Sequence, residues 1–248
     1  MKVALIQSDL FWENSIKNCE LFEAKINQIE PVDLIVLPEM FTSGFSMNAE
    51  FVAQTMQGEA ILLLKKLAKS KNCAITGSLV ISENNNFYNR MVFVFPDGNI
   101  EFYDKKHLFS LAGENKFYQP GDTKKIVTFK DFKICLQICY DLRFPVFARN
   151  KEDYDLLIYV ASWPDTRINA WNILLKARAV ENMSYVIGVN RVGTDDNNLN
   201  YTGNSQVIDS LGNFVLEPQT SDDVFVINLD KSKMMQNRAY FGFLKDRD

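Results

Sequence analysis

A thiol, a carboxylate and a pair of adjacent lysines stand where apolar segments of this chain end. Cys139 closes the run Ile134, Cys135, Leu136, Ile138; polar and charged residues follow at once, and Phe144-Pro145 offers a first helical turn. Glu39 follows residues 33–37 (DLIVL) and Pro38, and Lys105-Lys106 follow residues 100–103. A cation near a thiol lowers its pKa and offers hydrogen bonds to a developing oxyanion. A carboxylate beside both takes the thiol proton, hands it to a leaving amine and then activates water. Such a set hydrolyses an amide through a thioester. Spacing alone leaves open which lysine takes part, and whether Cys139 reacts or packs as a small apolar residue.

Those groups need a sheet whose strand ends lie side by side. Residues 3–7 (VALIQ) read as a first strand, Ser15 opens a helix running to about Ile29, and residues 33–37 read as a second buried strand. This β-α-β opening predicts a parallel pair with a right-handed crossover, which puts Glu39 and Cys139 on the same side of the sheet layers. A second helix is expected over 58–71, and strands over 73–81 and 87–95. The turn Pro96-Asp97-Gly98-Asn99 makes residues 100–103 an antiparallel partner, so the sheet is mixed. Residues 103–122 have no period and read as a long functional loop. Beyond the cysteine strand come strands over 156–161 and 185–189, with an amphipathic helix between them over 170–181. A polar loop over 195–200 and short strands over 205–208, 214–216 and 224–228 follow. Residues 231–248 lack strand alternation and read as a tail packed on the domain or on a second subunit. With no repeat or linker, 1–248 is expected to form one domain.

Composition narrows the function classes. The 248 residues are 47% hydrophobic and 23% charged, with 27 basic against 31 acidic side chains. That net charge of -4 gives no footprint for nucleic acid or an anionic membrane. No apolar run approaches a membrane span, and the start lacks a signal-peptide core, so a cytoplasmic protein is expected. The four cysteines (19, 73, 135 and 139) lack paired C-x-x-C spacing and suit a reducing compartment. One histidine, His107, rules out a His-rich metal site.

Three motifs then stand in order: L-P-E at 37–39, Y-D-K-K-H-L-F at 103–109 and I-C-Y-D-L-R-F-P at 138–145. They resemble the signatures of the carbon-nitrogen hydrolase (nitrilase) superfamily, as do A-S-W-P at 161–164 and the run A-W-x-x-L-L-x-A-R-A-x-E-N at 170–182. The resemblance implies an α/β fold, a four-layer α-β-β-α sandwich, commonly paired into a homodimer. It implies a catalytic Glu39, Lys105 and Cys139, and a second glutamate, Glu114, orienting the lysine and the substrate. Lys106 then falls to structure or surface, and His107 to a structural role in its loop. No metal or organic cofactor is implied.

The Cys-Tyr-Asp-Leu-Arg-Phe-Pro form resembles the omega-amidase branch, which hydrolyses the terminal amide of 2-oxo acids such as 2-oxoglutaramate and 2-oxosuccinamate. Such a small-molecule substrate needs a cation for its carboxylate, for which Arg143 is the first candidate and Arg167 the second. The Tyr140 backbone N–H is expected at the oxyanion, with Trp163 and Phe45 walling the pocket. Other readings keep the triad and change the substrate (an aliphatic amide, an N-carbamoyl amino acid, a nitrile), or make the chain a non-catalytic binding member.

Overall fold

A computed structural model describes residues 1–247. The first half runs β1 (Lys2–Gln7), α1 (Ser15–Gln28), β2 (Leu34–Val36), the single turn α2 (Ala49–Val52), α3 (Glu59–Lys71), β3 (Ala74–Glu83), β4 (Asn86–Val94) and β5 (Ile100–Asp104). The second half runs β6 (Lys125–Phe129), β7 (Phe132–Ile138), α4 (Pro145–Ala148), β8 (Leu156–Ala161), α5 (Ile168–Asn182), β9 (Tyr185–Asn190), β10 (Val192–Thr194), β11 (Asn200–Thr202), β12 (Ser205–Ile208) and β13 (Phe214–Gln219). Then β14 (Asp223–Asn228) returns to the first sheet and α6 (Lys231–Phe241) follows.

The strands form two six-stranded sheets, ordered β14-β1-β2-β3-β4-β5 and β13-β12-β9-β8-β7-β6. Each has three parallel strands at its centre, β1-β2-β3 and β7-β8-β9, flanked by antiparallel ones. The period-two alternation of β1 explains the layering. Val3 and Leu5 turn inward into the core they share with Ile134, Leu136 and Ile138 of the facing sheet, whereas Ala4 and Ile6 turn outward into the core they share with Phe22 and Ile26 of α1 and Leu64 of α3. On the far side, α5 lies so close to β9 that a Cβ at Gly188 would come within 2.5 Å of Leu175. The result is the expected α-β-β-α sandwich.

Several segments differ from the sequence expectation, among them α2 and α6, which fall where no helix was expected. Strand β6 lies in a segment assigned to no element, where it pairs with β7 as an edge hairpin through the tight turn at Lys130. The polar loop at 195–200 is the tip of a small antiparallel hairpin, β10-β11. The long loop after β5 folds two single turns of 3-10 helix, Ser110–Ala112 and Glu114–Lys116. In the C-terminal segment, α6 is capped by Asp230 and buries Met234, while Arg238 hydrogen-bonds the carbonyls of Met183 and Tyr154. The last residue of that segment, Asp248, lies outside the described residues. Among the described residues no helix is long and apolar enough to cross a membrane.

Candidate active site

Both sheets send strand ends to one place. Glu39 follows β2, Lys105 follows β5, Cys139 follows β7 and Ser162 follows β8. Because β3, β4 and β5 alternate in direction, β5 runs the same way as β2. The lysine therefore emerges on the glutamate's side of its sheet.

The charged groups there have no exposure to solvent and are paired. Lys105 Nζ lies 2.9 Å from Glu39 Oε1 and 2.9 and 3.0 Å from the two Glu114 oxygens. Asn89, from the middle of β4, donates its amide to Glu39 at 2.8 Å and to Glu114 at 3.3 Å. The second oxygen of Glu39 accepts the Ser162 N–H at 2.8 Å, and Glu114 Oε2 accepts the Phe109 N–H at 2.5 Å. Burial of this kind penalises every charge, so partners decide protonation. Burial would drive the Lys105 ammonium down, but Glu114 and Glu39 outweigh it and hold it above its ordinary value. Burial pushes the Glu114 carboxyl up, against the pull of Lys105.

Cys139 heads a 3-10 turn, Cys139–Arg143, and has φ of +43°. A non-glycine residue in that region stores about 1–3 kcal/mol of strain. The Glu39 carboxylate is near enough for its charge to act on the thiol. Burial first, and the Glu39 charge second, push the thiol well above its ordinary value despite Lys105. The adjacent Tyr140 N–H belongs to a first turn whose amides have no intrahelical partner.

A cavity of about 300 Å³ opens above Cys139. Phe45, Tyr140, Arg143, Trp163 and Arg167 all line it. Lys105 Nζ sits 5.0 Å from the centre of the Phe45 ring. Trp163 serves both as wall and as core: it stacks near Trp171 at 5.6 Å and donates its indole N–H to the Arg167 carbonyl at 2.8 Å. Arg143 stacks over Trp163 and Arg167 over Phe109, each at 5.1 Å. Among the described residues neither guanidinium has a carboxylate within salt-bridge distance. Lys106 uses its N–H on Tyr103, and Cys135 is fully buried in β7.

Other parts of the site carry little sequence signal. Asn89 is an ordinary amide in β4, and only its position opposite Lys105 gives it meaning. The β10-β11 hairpin supplies Asp195, Asn197, Leu199 and Tyr201 as a further wall. Asp195 accepts the Tyr201 hydroxyl at 2.8 Å and the Leu199 N–H at 3.0 Å, which stiffens the hairpin. Asn200 then ties it to Asp165, two residues before Arg167, at 3.0 Å.

Comparison with known proteins meets this geometry from outside. Residues 2–239 match the carbon-nitrogen hydrolase family. The chain is 42% identical over 249 residues to the omega-amidase YafV of Escherichia coli (strain K12), covering 100% of this chain and 97% of that protein. It is 30% identical over 252 residues to a 2-oxoglutaramate amidase of Bacillus subtilis (strain 168), covering 98% and 96%. Among solved structures it resembles XC1258 of Xanthomonas campestris, a CN-hydrolase superfamily protein with an arsenic adduct in its active site. That match has a TM-score of 0.97 at 37% identity and covers 100% and 97% of the two chains. With the family match running over residues 2–239 and full-length relatives and a solved structure in agreement along nearly the whole length, the chain belongs to the carbon-nitrogen hydrolase family.

Proposed function

We propose that this protein is an omega-amidase, which hydrolyses the terminal amide of a small 2-oxo acid to the 2-oxo dicarboxylate and ammonia. The observation that carries the reading is the contrast around one cavity: a paired Glu39–Lys105–Glu114 cluster buried behind Cys139, and two wall arginines that have no carboxylate partner among the described residues. The first set suits amide chemistry. The second suits a substrate that brings its own carboxylate. A cavity near the small end of the range for ligand sites, roughly 300–1,000 Å³, favours a short acid over a peptide or a lipid. The omega-amidase and 2-oxoglutaramate amidase named above support the same substrate class.

In this reading Glu39 takes the Cys139 proton as sulfur attacks the amide carbon. The Lys105 ammonium has three N–H groups; one meets Glu39, one is shared by the two Glu114 oxygens, and the third serves the oxyanion with the Tyr140 N–H. Collapse breaks the C–N bond, Glu39 returns its proton to the departing ammonia, and a thioester remains. Water, deprotonated by Glu39, then releases the acid and restores the thiol. Arg143, on the turn that carries the nucleophile, holds the distal carboxylate, and Arg167 supports it.

The reading includes a cytoplasmic homodimer. The end of α6 and the residues after it leave Tyr240 and Phe243 exposed at 84% and 56%, and Ile173 on α5 is exposed at 58%, apolar surface suited to a second copy. Residues 1–248 act as one domain with 231–248 at that contact. Ammonia release from 2-oxoglutaramate, 2-oxosuccinamate, glutamine, an aliphatic amide, an N-carbamoyl amino acid and a nitrile tests the function. Turnover of the two 2-oxo amides, lost in Cys139→Ala, is expected. Preference for any other member of the panel replaces the substrate assignment.

A further inference from the structure

Cys139 and Lys105 belong to different sheets, and their separation has to be set by something more directional than the apolar layer between those sheets. Hydrophobic contact is non-directional and tolerates sliding. Two buried carboxylates cross the gap: Glu39, which accepts the Ser162 N–H, and Asp141, which holds the backbone next to Cys139. Asp141, fully buried, accepts four hydrogen bonds: from the Ile138 N–H at 3.0 Å, the Tyr103 hydroxyl at 2.8 Å, the His107 N–H at 2.9 Å and His107 Nδ1 at 2.8 Å. The Tyr103 hydroxyl in turn accepts the Lys106 N–H at 3.0 Å. Ile138 is the residue before the nucleophile, and Lys106 and His107 are the residues after the lysine. A single side chain thus grips the backbone next to Cys139 directly, and the backbone after Lys105 directly at His107 and through Tyr103 at Lys106.

The four bonds use the acceptor capacity of an ionised carboxylate, and they require the His107 tautomer with its proton on Nδ1. The imidazole is also fixed by its face, lying on the Phe144 ring at 3.8 Å and 8° from parallel, with Phe147 at its edge. Phe144 closes the same 3-10 turn that Cys139 opens.

We propose that Asp141 and His107 are a positioning pair that sets the Cys139 sulfur against the Lys105 ammonium, acting on the rate of the chemical step without touching the substrate. The proposal rests on the amidase reading only for the choice of substrate. His107→Phe keeps a flat ring on Phe144 and removes the donor, and His107→Asn restores a donor near the Nδ1 position without the ring. Misplacement of reacting groups by a fraction of an ångström to one ångström costs roughly ten- to a hundredfold in rate. His107→Phe is therefore expected to lower kcat by that factor with KM within about twofold, and His107→Asn to regain most of the loss. Alkylation of Cys139 by iodoacetamide, normalised to folded protein, should slow in the same order, because it too needs Glu39 and Lys105 in register with the sulfur.

Unchanged kcat in folded His107→Phe, a change confined to KM, or His107→Asn no better than His107→Phe would each overturn the proposal. The alkylation rate needs no amide. If 2-oxo amides are not turned over yet alkylation slows in His107→Phe, the substrate reading fails and the positioning pair stands. Tyr103→Phe, which removes a third donor to Asp141, should slow alkylation further when combined with His107→Phe; no added effect also counts against the pair.

Discussion

The charged side chains behind Cys139 and the two arginines on the cavity wall are built in opposite ways. Glu39, Lys105 and Glu114 have no exposure to solvent, and each has at least two hydrogen-bonding partners. Arg143 is exposed and Arg167 half-buried, and both rest on aromatic faces instead of carboxylates. The difference teaches where each kind of specificity resides. Chemistry that develops charge in the transition state gains from dipoles and charges already in place, because they need no reorganisation at the moment of reaction. Recognition of a charged group gains from a cation left without a partner, because the substrate then meets a guanidinium that no internal carboxylate has to release.

Removing the nucleophile cuts deepest. Cys139→Ala should lower turnover by at least about a thousandfold while substrate binding persists, measured as kcat against the dissociation constant of the product acid. Retained turnover would remove the thioester from the scheme. Next comes Glu114→Gln, which turns one acceptor of the locked set into a donor facing Lys105 or the Phe109 N–H. Breaking one arm of a buried charged cluster costs about 3–5 kcal/mol of stability. Chemical denaturation should register that loss alongside a drop in kcat. Arg143→Met, by contrast, should raise KM for 2-oxo acid amides by about tenfold or more and leave stability within about 0.5 kcal/mol, since the side chain is exposed. An equal loss of stability in Glu114→Gln and Arg143→Met would erase the contrast.

The smallest effect is expected at a peripheral pair that resembles neither set. Burial raises the Asp222 carboxyl, but hydrogen bonds from Lys25, the Asp9 N–H and Ser8 hold it below the usual range. A depressed folded-state value contributes stability above the unfolded value near pH 4, and loses it as pH falls through the folded value. With the side chain 43% exposed, solvent screening keeps the contribution under about 1 kcal/mol. Asp222→Asn should therefore lower the melting temperature slightly at pH 7, and the difference from the parent protein should vanish in strong acid.

The two regions were also unequally legible from sequence. Glu39 and Cys139 each end an apolar run, and a strand buried on both faces ends abruptly in its sequence, so both could be placed at strand ends. The sandwich came from the motif resemblance, since period-two alternation shows that a strand has two faces but not which layer covers each. Asn89 was illegible because an amide within a strand has no signal until the groups that follow its neighbouring strands are known. Strand β6 alternates well enough, but it follows a long aperiodic loop and has no turn signal of its own beyond Lys130. Helix α6 buries only Met234, so its apolar residues do not form a stripe; its place comes from the Asp230 cap and the Arg238 hydrogen bonds. The walls from the β10-β11 hairpin could be found only once Val192 was seen to pair with Thr202.

The division between a locked reacting cluster and unpartnered recognising arginines is tested most directly by one pair of steady-state measurements. The parent protein and the double variant Arg143→Met/Arg167→Met are each given 2-oxoglutaramate and an uncharged amide of matched length. The account predicts that the double variant loses kcat/KM on the acid by about a hundredfold or more and keeps its rate on the uncharged amide, so that the preference collapses. Equal losses on both amides, or no loss on either, would contradict it.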